Sequence, residues 1–197
     1  MFETAGLWRA AGAVCFAAAA CIALVPPAQA AAIESPPTVE VRPDSHGASG
    51  LVRGQVDIDA TPEAVWKILI DCAQVPHLMV GVKFCHVLQR DPGGKWDLRE
   101  QVTNASLLPG VRTVIRSDYD EPRSVRFHRT DGDFKILEGE WRLEPLDGGV
   151  RTRVYYESRM DAPFAAPNAL VRMVLRADMP KTLSNLRTAC EASAARP

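Results

Sequence analysis

The chain has 197 residues, 23 Lys and Arg against 24 Asp and Glu, and a formal net charge of −1. A balance so near zero leaves no electrostatic footprint for nucleic acid or for an anionic membrane surface. Hydrophobic residues make up 47% of the chain, enough to bury the core of one domain.

Residues 1–30 read as an export signal rather than as part of a fold. Arg9 precedes an apolar run from Ala10 to Val25, then come Pro26-Pro27 and Ala28-Gln29-Ala30. A basic start, an apolar stretch, a helix break and small residues at the −3 and −1 positions fit cleavage after Ala30. The run of about sixteen residues is shorter than the ~20 a membrane span needs, although a retained anchor stays open. Lipid attachment at Cys21 fits less well, because Ile22 to Val25 continue the apolar stretch past it. The expected location is the periplasm or the outside of the cell. Residues 31–49 are rich in Pro and Ser and read as a flexible arm, with Val39 to Val41 able to add a short edge strand.

The domain is expected over residues 50–194. From Leu51 to Asp59, Val52, Val56 and Ile58 alternate with Arg53, Gln55 and Asp57, which predicts a half-buried strand. Thr61-Pro62 starts a short helix, with Val65, Trp66, Ile68 and Leu69 as its buried face. Val75 to Val82 contains Pro76 and Gly81 and reads as a loop. Six strands are then expected: Lys83–Arg90, Lys95–Asn104, Arg112–Tyr119, Ser124–Thr130, Phe134–Glu144 and Val150–Met160. Turn residues such as Asp91-Pro92-Gly93-Gly94 and Asp147-Gly148-Gly149 separate them, as in an antiparallel meander. Pro167 to Ala192 predicts a long amphipathic helix, kinked or split at Pro180.

Three cysteines lie beyond the leader: Cys72, Cys85 and Cys190. Cys72 follows a helix and Cys85 begins a strand, so in an oxidising compartment a Cys72–Cys85 disulfide is expected, with Cys190 a buried free thiol. The alternative, a metal site with His77 and His86, has a spacing that matches no usual zinc pattern. No metal and no cofactor is expected.

Strand, helix, meander and long helix in this order resemble the START-like helix-grip superfamily, an α+β fold. The chain is most similar to its coenzyme Q-binding START-domain and polyketide cyclase/dehydrase families. Thr61-Pro62-Glu63-Ala64-Val65-Trp66, Pro76, Val87-Leu88, the block Leu137-Glu138-Gly139-Glu140-Trp141-Arg142-Leu143, and Leu183 with Leu186 carry the likeness. The resemblance implies a curved antiparallel sheet wrapped on the C-terminal helix. Between them it implies a cavity for a lipid, a quinone or a polyketide-like molecule.

Strand parity supplies a candidate lining. Leu137, Gly139 and Trp141 share a face with Val154 and Tyr156 of the next strand and Phe127 of the one before. Trp96, Leu98 and Glu100 share a face in the second meander strand, and Leu170 and Val174 face inward from the helix. Gly139 is expected to widen the hollow, and Glu100 to pair with an arginine such as Arg116 or to act on a ligand. Each has a plainer reading as core: Trp141 as filler, Tyr156 as a buried tyrosine satisfied by backbone. Met79, Leu78, Leu107 and Leu108 are candidates for the entrance.

No nucleophile, base or metal set converges, so no catalytic residue is assigned. The leading expectation is an exported, non-enzymatic binder of a hydrophobic small molecule, touching a membrane at most transiently. The alternatives are a cyclase or dehydratase using Glu100 and Tyr156, and an interaction module whose cavity is filled by its own side chains.

Overall fold

The computed structural model describes residues 35–104, 110–162 and 167–195. The expected export signal therefore lies outside the described residues, as do Leu107 and Leu108. The elements are β1 (Thr38–Arg42), β2 (Gly50–Ile58), α1 (Pro62–Ile70), α2 (Val75–Leu78), β3 (Val82–Arg90), β4 (Trp96–Thr103), β5 (Val111–Asp120), β6 (Ser124–Gly132), β7 (Ile136–Leu146), β8 (Arg151–Asp161) and α3 (Asn168–Ala194).

All eight strands join one antiparallel sheet in the order β1-β2-β8-β7-β6-β5-β4-β3. From β3 to β8 each strand pairs with its chain neighbour, as short turns require. The one crossover places β2 beside β8. Helix α1 starts as its sequence directs, with the Ala64 N–H donating to Thr61 Oγ1 at 3.4 Å and Pro62 in the first turn. Val65, Trp66 and Leu69 are buried beneath it.

Two expectations are corrected. The segment read as a loop contains α2, because Val75 and Leu78 sit one turn apart and both bury. Asn185 Nδ2 of α3 donates to the Leu78 carbonyl at 3.2 Å, and the Val80 N–H donates to Thr182 Oγ1. The segment read as a flexible arm, with Val39 to Val41 able to add an edge strand, does form that strand and is further stitched to the domain. Thr38–Arg42 forms edge strand β1 on β2, Arg159 Nη2 donates to Asp44 Oδ2 at 2.9 Å, and Ser49 Oγ donates to Asp161.

Helix α3 lies across β1 and β2. Two glycines let it approach: a Cβ on Gly54 would sit 2.8 Å from Leu183 Cδ1, and one on Gly50 would sit 3.3 Å from Leu175 Cδ1. Three arginines of α3 donate to backbone carbonyls of this edge: Arg172 to Ser49, Arg176 to Val41 and Arg187 to Asp57. Pro180 is accommodated inside one continuous helix, at the loss of its own N–H bond. Leu183 and Leu186 are 0% and 1% exposed, and burying each contributes about 1.5–3 kcal/mol. They join Val52, Val56, Ile58, Val65, Trp66 and Val154 in one core. None of the described helices is long and apolar enough to cross a membrane.

Cys72 and Cys85 are bonded, with Cα atoms 5.5 Å apart. Both sulfurs are thereby used, which removes the thiolates that the alternative metal site needed. Cys190 is free and buried, and burial pushes its thiol up to about 12.

Candidate functional site

Cross-strand partners share a face of a sheet, so the register fixes which side chains look toward α1 and α3. One row of the inner face runs Gly54, Tyr156, Trp141, Val125, Tyr119. The next runs Val52, Ser158, Gly139, Phe127, Ser117, Asp97. Beyond it lie Met160 with Leu137, and Arg129 with Ile115 and Arg99.

The structure thus brings Phe127, Leu137, Gly139, Trp141, Val154 and Tyr156 onto one face. It places Trp96, Leu98 and Glu100 on the other. Leu98 pairs with Arg116 and Glu100 with Val114, whereas Asp97 and Arg99 pair with Ser117 and Ile115 of the inner face. On the outer face Arg116 stacks over Trp96 at 4.4 Å, and Glu100 pairs with Arg112 at 2.5 Å rather than with Arg116. Reading the apolar side of β4 as the inward side was therefore wrong. The inward charges are tolerated because they complete one another.

That completion is a buried network the sequence reading missed. Asp97 is 1% and Arg99 5% exposed. Arg99 Nε donates to Asp97 Oδ1 at 3.0 Å, and Nη2 donates to Asp97 Oδ2, to Tyr119 Oη and to the Ile70 carbonyl closing α1. Burial disfavours the charge on Arg99, but its interactions with Asp97 and Tyr119 taken together outweigh this and hold its pKa above the ordinary arginine value. Burial pushes the Tyr119 hydroxyl well above the usual tyrosine range. Trp66 of α1 meets the Tyr119 ring edge-on at 5.8 Å and 77°. The signal lay in Asp97 and Arg99, opposite charges two residues apart on one side of a strand.

The aromatic cluster is tightly packed. Trp141 and Tyr156 have centroids 4.3 Å apart, and Phe127 stacks on Tyr156 at 6.2 Å and 14°. Trp141, Tyr156 and Val154 are all buried, so here they fill the core. Burial raises the Tyr156 hydroxyl to about 12. Gly139 does not widen a hollow. A Cβ there would lie 2.2 Å from the Glu157 carbonyl oxygen and 2.7 Å from Phe127 Cζ, so the glycine serves close approach of β8 and of the Phe127 ring.

Apolar surface stays open further along. Phe127, Leu137 and Met160 are only partly buried on the inner face. Met160 pairs with Gly50, on which the N-terminal half of α3 packs. That half presents Leu170, Met173 and Val174, which are 48%, 59% and 45% exposed. Leu170 and Val174 thus stand half in solvent rather than closed against the sheet.

Two of the concavities lined by described residues bear on the site. One, of about 790 Å³, lies on the outer face, with Arg53, Arg126, Glu140, Arg142, Tyr155 and Glu157 in its lining beside the backbone of Gly54 and Gly139. Its charges satisfy one another: Arg53 with Glu157, Arg126 with Glu140, Arg159 with Glu138, and Arg142 over the Tyr155 ring. It reads as a solvated, self-paired face. The other, of about 250 Å³, opens between β6 and β7 beside Arg129 and Leu137.

Several solved structures share this architecture. The STAR-related lipid transfer protein (fragment 25–204) from Xanthomonas axonopodis is 20% identical, with a TM-score of 0.65 over 78% of this chain and 93% of its own. The Zhui aromatase/cyclase from Streptomyces sp. R1128 is 16% identical, with a TM-score of 0.61 over 74% and 96%. A START superfamily protein from Mycobacterium smegmatis is 20% identical, with a TM-score of 0.59 over 72% and 94%. At these identities the likeness is one of fold, the START-like helix grip. No curated protein matches the chain by sequence. The model of one family, described as polyketide cyclase / dehydrase and lipid transport, matches residues 58–187, most of the chain. On that match and on its helix-grip architecture, the chain belongs to the polyketide cyclase/dehydrase and lipid transport family.

Proposed function

We propose that this chain is an exported binding protein that holds a hydrophobic small molecule between the inner face of its sheet and α3, without chemical turnover. The carrying observation is the apolar strip left open at Phe127 and Met160, which pack against the closed core, and at Leu137, the partner of Met160. Leu170 and Val174 of α3 add half-exposed apolar surface. A site that is mostly apolar with a few placed polar groups is the usual form of a small-molecule pocket. The family description and the lipid-transfer neighbour support the class of ligand. Export is supported by the leader pattern and by the Cys72–Cys85 bond, which persists in an oxidising compartment. Leu170, Met173 and Val174 on one helical face support brief contact with a lipid surface during loading.

A cyclase or dehydratase reading loses its acid–base pair, since Glu100 and Tyr156 lie on opposite faces of the sheet. The test is native mass spectrometry of protein purified from its own host, followed by solvent extraction. One apolar compound at near-stoichiometric amount is expected. Protein that is empty as isolated and that binds no quinone, phospholipid or fatty acid in titration refutes the reading. N-terminal sequencing of the exported protein should start within a few residues of Ala31.

A further inference from the structure

The two ends of the sheet are treated differently. At the β1 end, arginines of α3 donate to the Ser35, Val41 and Ser49 carbonyls. At the other end β3 pairs with β4 alone. Among the described residues, no hydrogen bond reaches the free side of β3 between Lys83 and Arg90. Unpaired N–H and C=O groups along an edge are a template for another strand.

The devices that blunt an edge are confined to the flanks of this one. The register against β4 shifts between Val82 and Phe84 and again between Val87 and Gln89, which places bulges at Lys83 and Leu88. Between them Phe84 to Val87 run in regular register. That stretch holds no proline and no carboxylate. Its middle is pinned, because Cys85 is bonded to Cys72 in the chain that follows α1. A rigid edge has less order to lose when a partner arrives.

The outer side of this edge is aromatic and open. Phe84 and His86 pair with Val102 and Glu100, and so share the outer face. Phe84 is 43% exposed and His86 is exposed. Their rings stack 6.2 Å apart and 13° from parallel. Half-buried Leu98 and Trp96 continue the apolar surface along β4, the same side chains that the alternation of β4 had turned inward.

This edge is complementary to itself. An antiparallel pair about a two-fold axis sets outer residues against outer residues. Centred on Cys85, it sets Phe84 against His86 of the second copy and His86 against its Phe84. The two stacked pairs then form one aromatic row, and opposed aromatic residues are favourable cross-strand partners. The charged residues of β3, Lys83 and Arg90, do not come opposite one another in this register.

We propose that the free edge of β3 is a homodimer interface, in which two copies of this chain pair antiparallel about Cys85 and join their sheets into one. The row of side chains it uses lies on the face opposite the apolar strip, so the inference stands apart from the binding role proposed above.

The experiment is sedimentation velocity of the purified protein over a concentration series. A single strand edge is a small interface, so the average mass should rise with concentration from monomer toward dimer. Amide exchange at residues 84–86 should slow over the same range. Phe84→Lys with His86→Lys sets like charges opposite each other twice, and should weaken the dimer at least about tenfold. Phe84→Glu with His86→Lys sets opposite charges there and should keep it. Both variants change exposed side chains, so each should melt near the temperature of the parent. A chain still monomeric at about 1 mM overturns the proposal. Equal dimerisation by the two variants, equal loss in both, or a dimer that leaves exchange at residues 84–86 unchanged, overturns this edge as the interface.

Discussion

Arg99 can leave water only because Asp97, Tyr119 and the Ile70 carbonyl accept its donors. Arg99→Met alone strands a carboxylate that is 1% exposed, and should cost about 3–5 kcal/mol in urea unfolding. Adding Asp97→Leu removes the stranded charge, so the double variant should recover much of that loss. A double variant as unstable as the single would mean the charges do not act as a pair. At Gly139 the obstacle to a side chain is backbone, the Glu157 carbonyl, which cannot rotate away. Gly139→Ala should therefore lose about 3 kcal/mol or more, the upper end of overpacking costs, and Phe127→Leu should not rescue it. Residue-level reading from sequence failed at β4 for a physical reason. Alternation shows which residues share a face, but it does not say which face is inside. The rule that apolar residues point inward chose Trp96 and Leu98. It was overridden by an ion pair stable inside the sheet and by an outer face where Arg116 covers Trp96.

At the scale of elements, turn residues and caps located nearly every strand and helix to within a few residues, because Pro62, the Asp91–Gly94 turn and the Asp147–Gly149 turn act locally. What escaped were contacts made only with distant partners. α2 is held by Asn185 and Thr182, and the clasps that fasten the arm behind β1, an edge strand the alternation of Val39 and Val41 did allow, come from Arg159. The Asp44–Arg159 clasp gives the arm a dependence on acid. The Arg159 guanidinium, helped by the Ala48 N–H, holds Asp44 down at about 2. In the unfolded chain an aspartate titrates near 3.9, so the clasp's contribution is complete above about pH 4 and is lost as the pH falls through 2. Hydrogen-exchange protection over residues 38–49, taken relative to the intrinsic rate at each pH, should fall between pH 4 and 2, and Asp44→Asn should remove that protection at neutral pH already. The Cys72–Cys85 bond closes a loop with a sequence separation of 13, worth about 3 kcal/mol in the chain-entropy model. Cys85→Ser should lower the melting temperature by several degrees. Alkylation of the purified protein unfolded without reductant should modify Cys190 alone, counted among the cysteines beyond residue 30.

At the scale of the molecule, the order of elements was enough to read the helix-grip layout, since a meander followed by one long amphipathic helix has few ways to bury both apolar faces. The site was less legible. The tails of Phe127, Leu137 and Met160 follow from alternation, but the gap beside Arg129 exists because a ladder stops short, and nothing in the composition of β6 or β7 marks that end. The β2–β8 pairing has a further consequence in time. Strand β2 is made early, and its partner, led by Arg151, lies roughly a hundred residues further along the chain. α3, whose arginines fasten β1 and β2, comes later still. A contact so distant in sequence carries a large loop-closure cost and slows folding. Until β8 and α3 have been synthesised, β1 and β2 can pair only with each other. A chain ended at residue 146 should therefore show no cooperative unfolding and fall quickly to protease. A polypeptide that stays open until its last quarter arrives is suited to being threaded through a narrow channel before it folds.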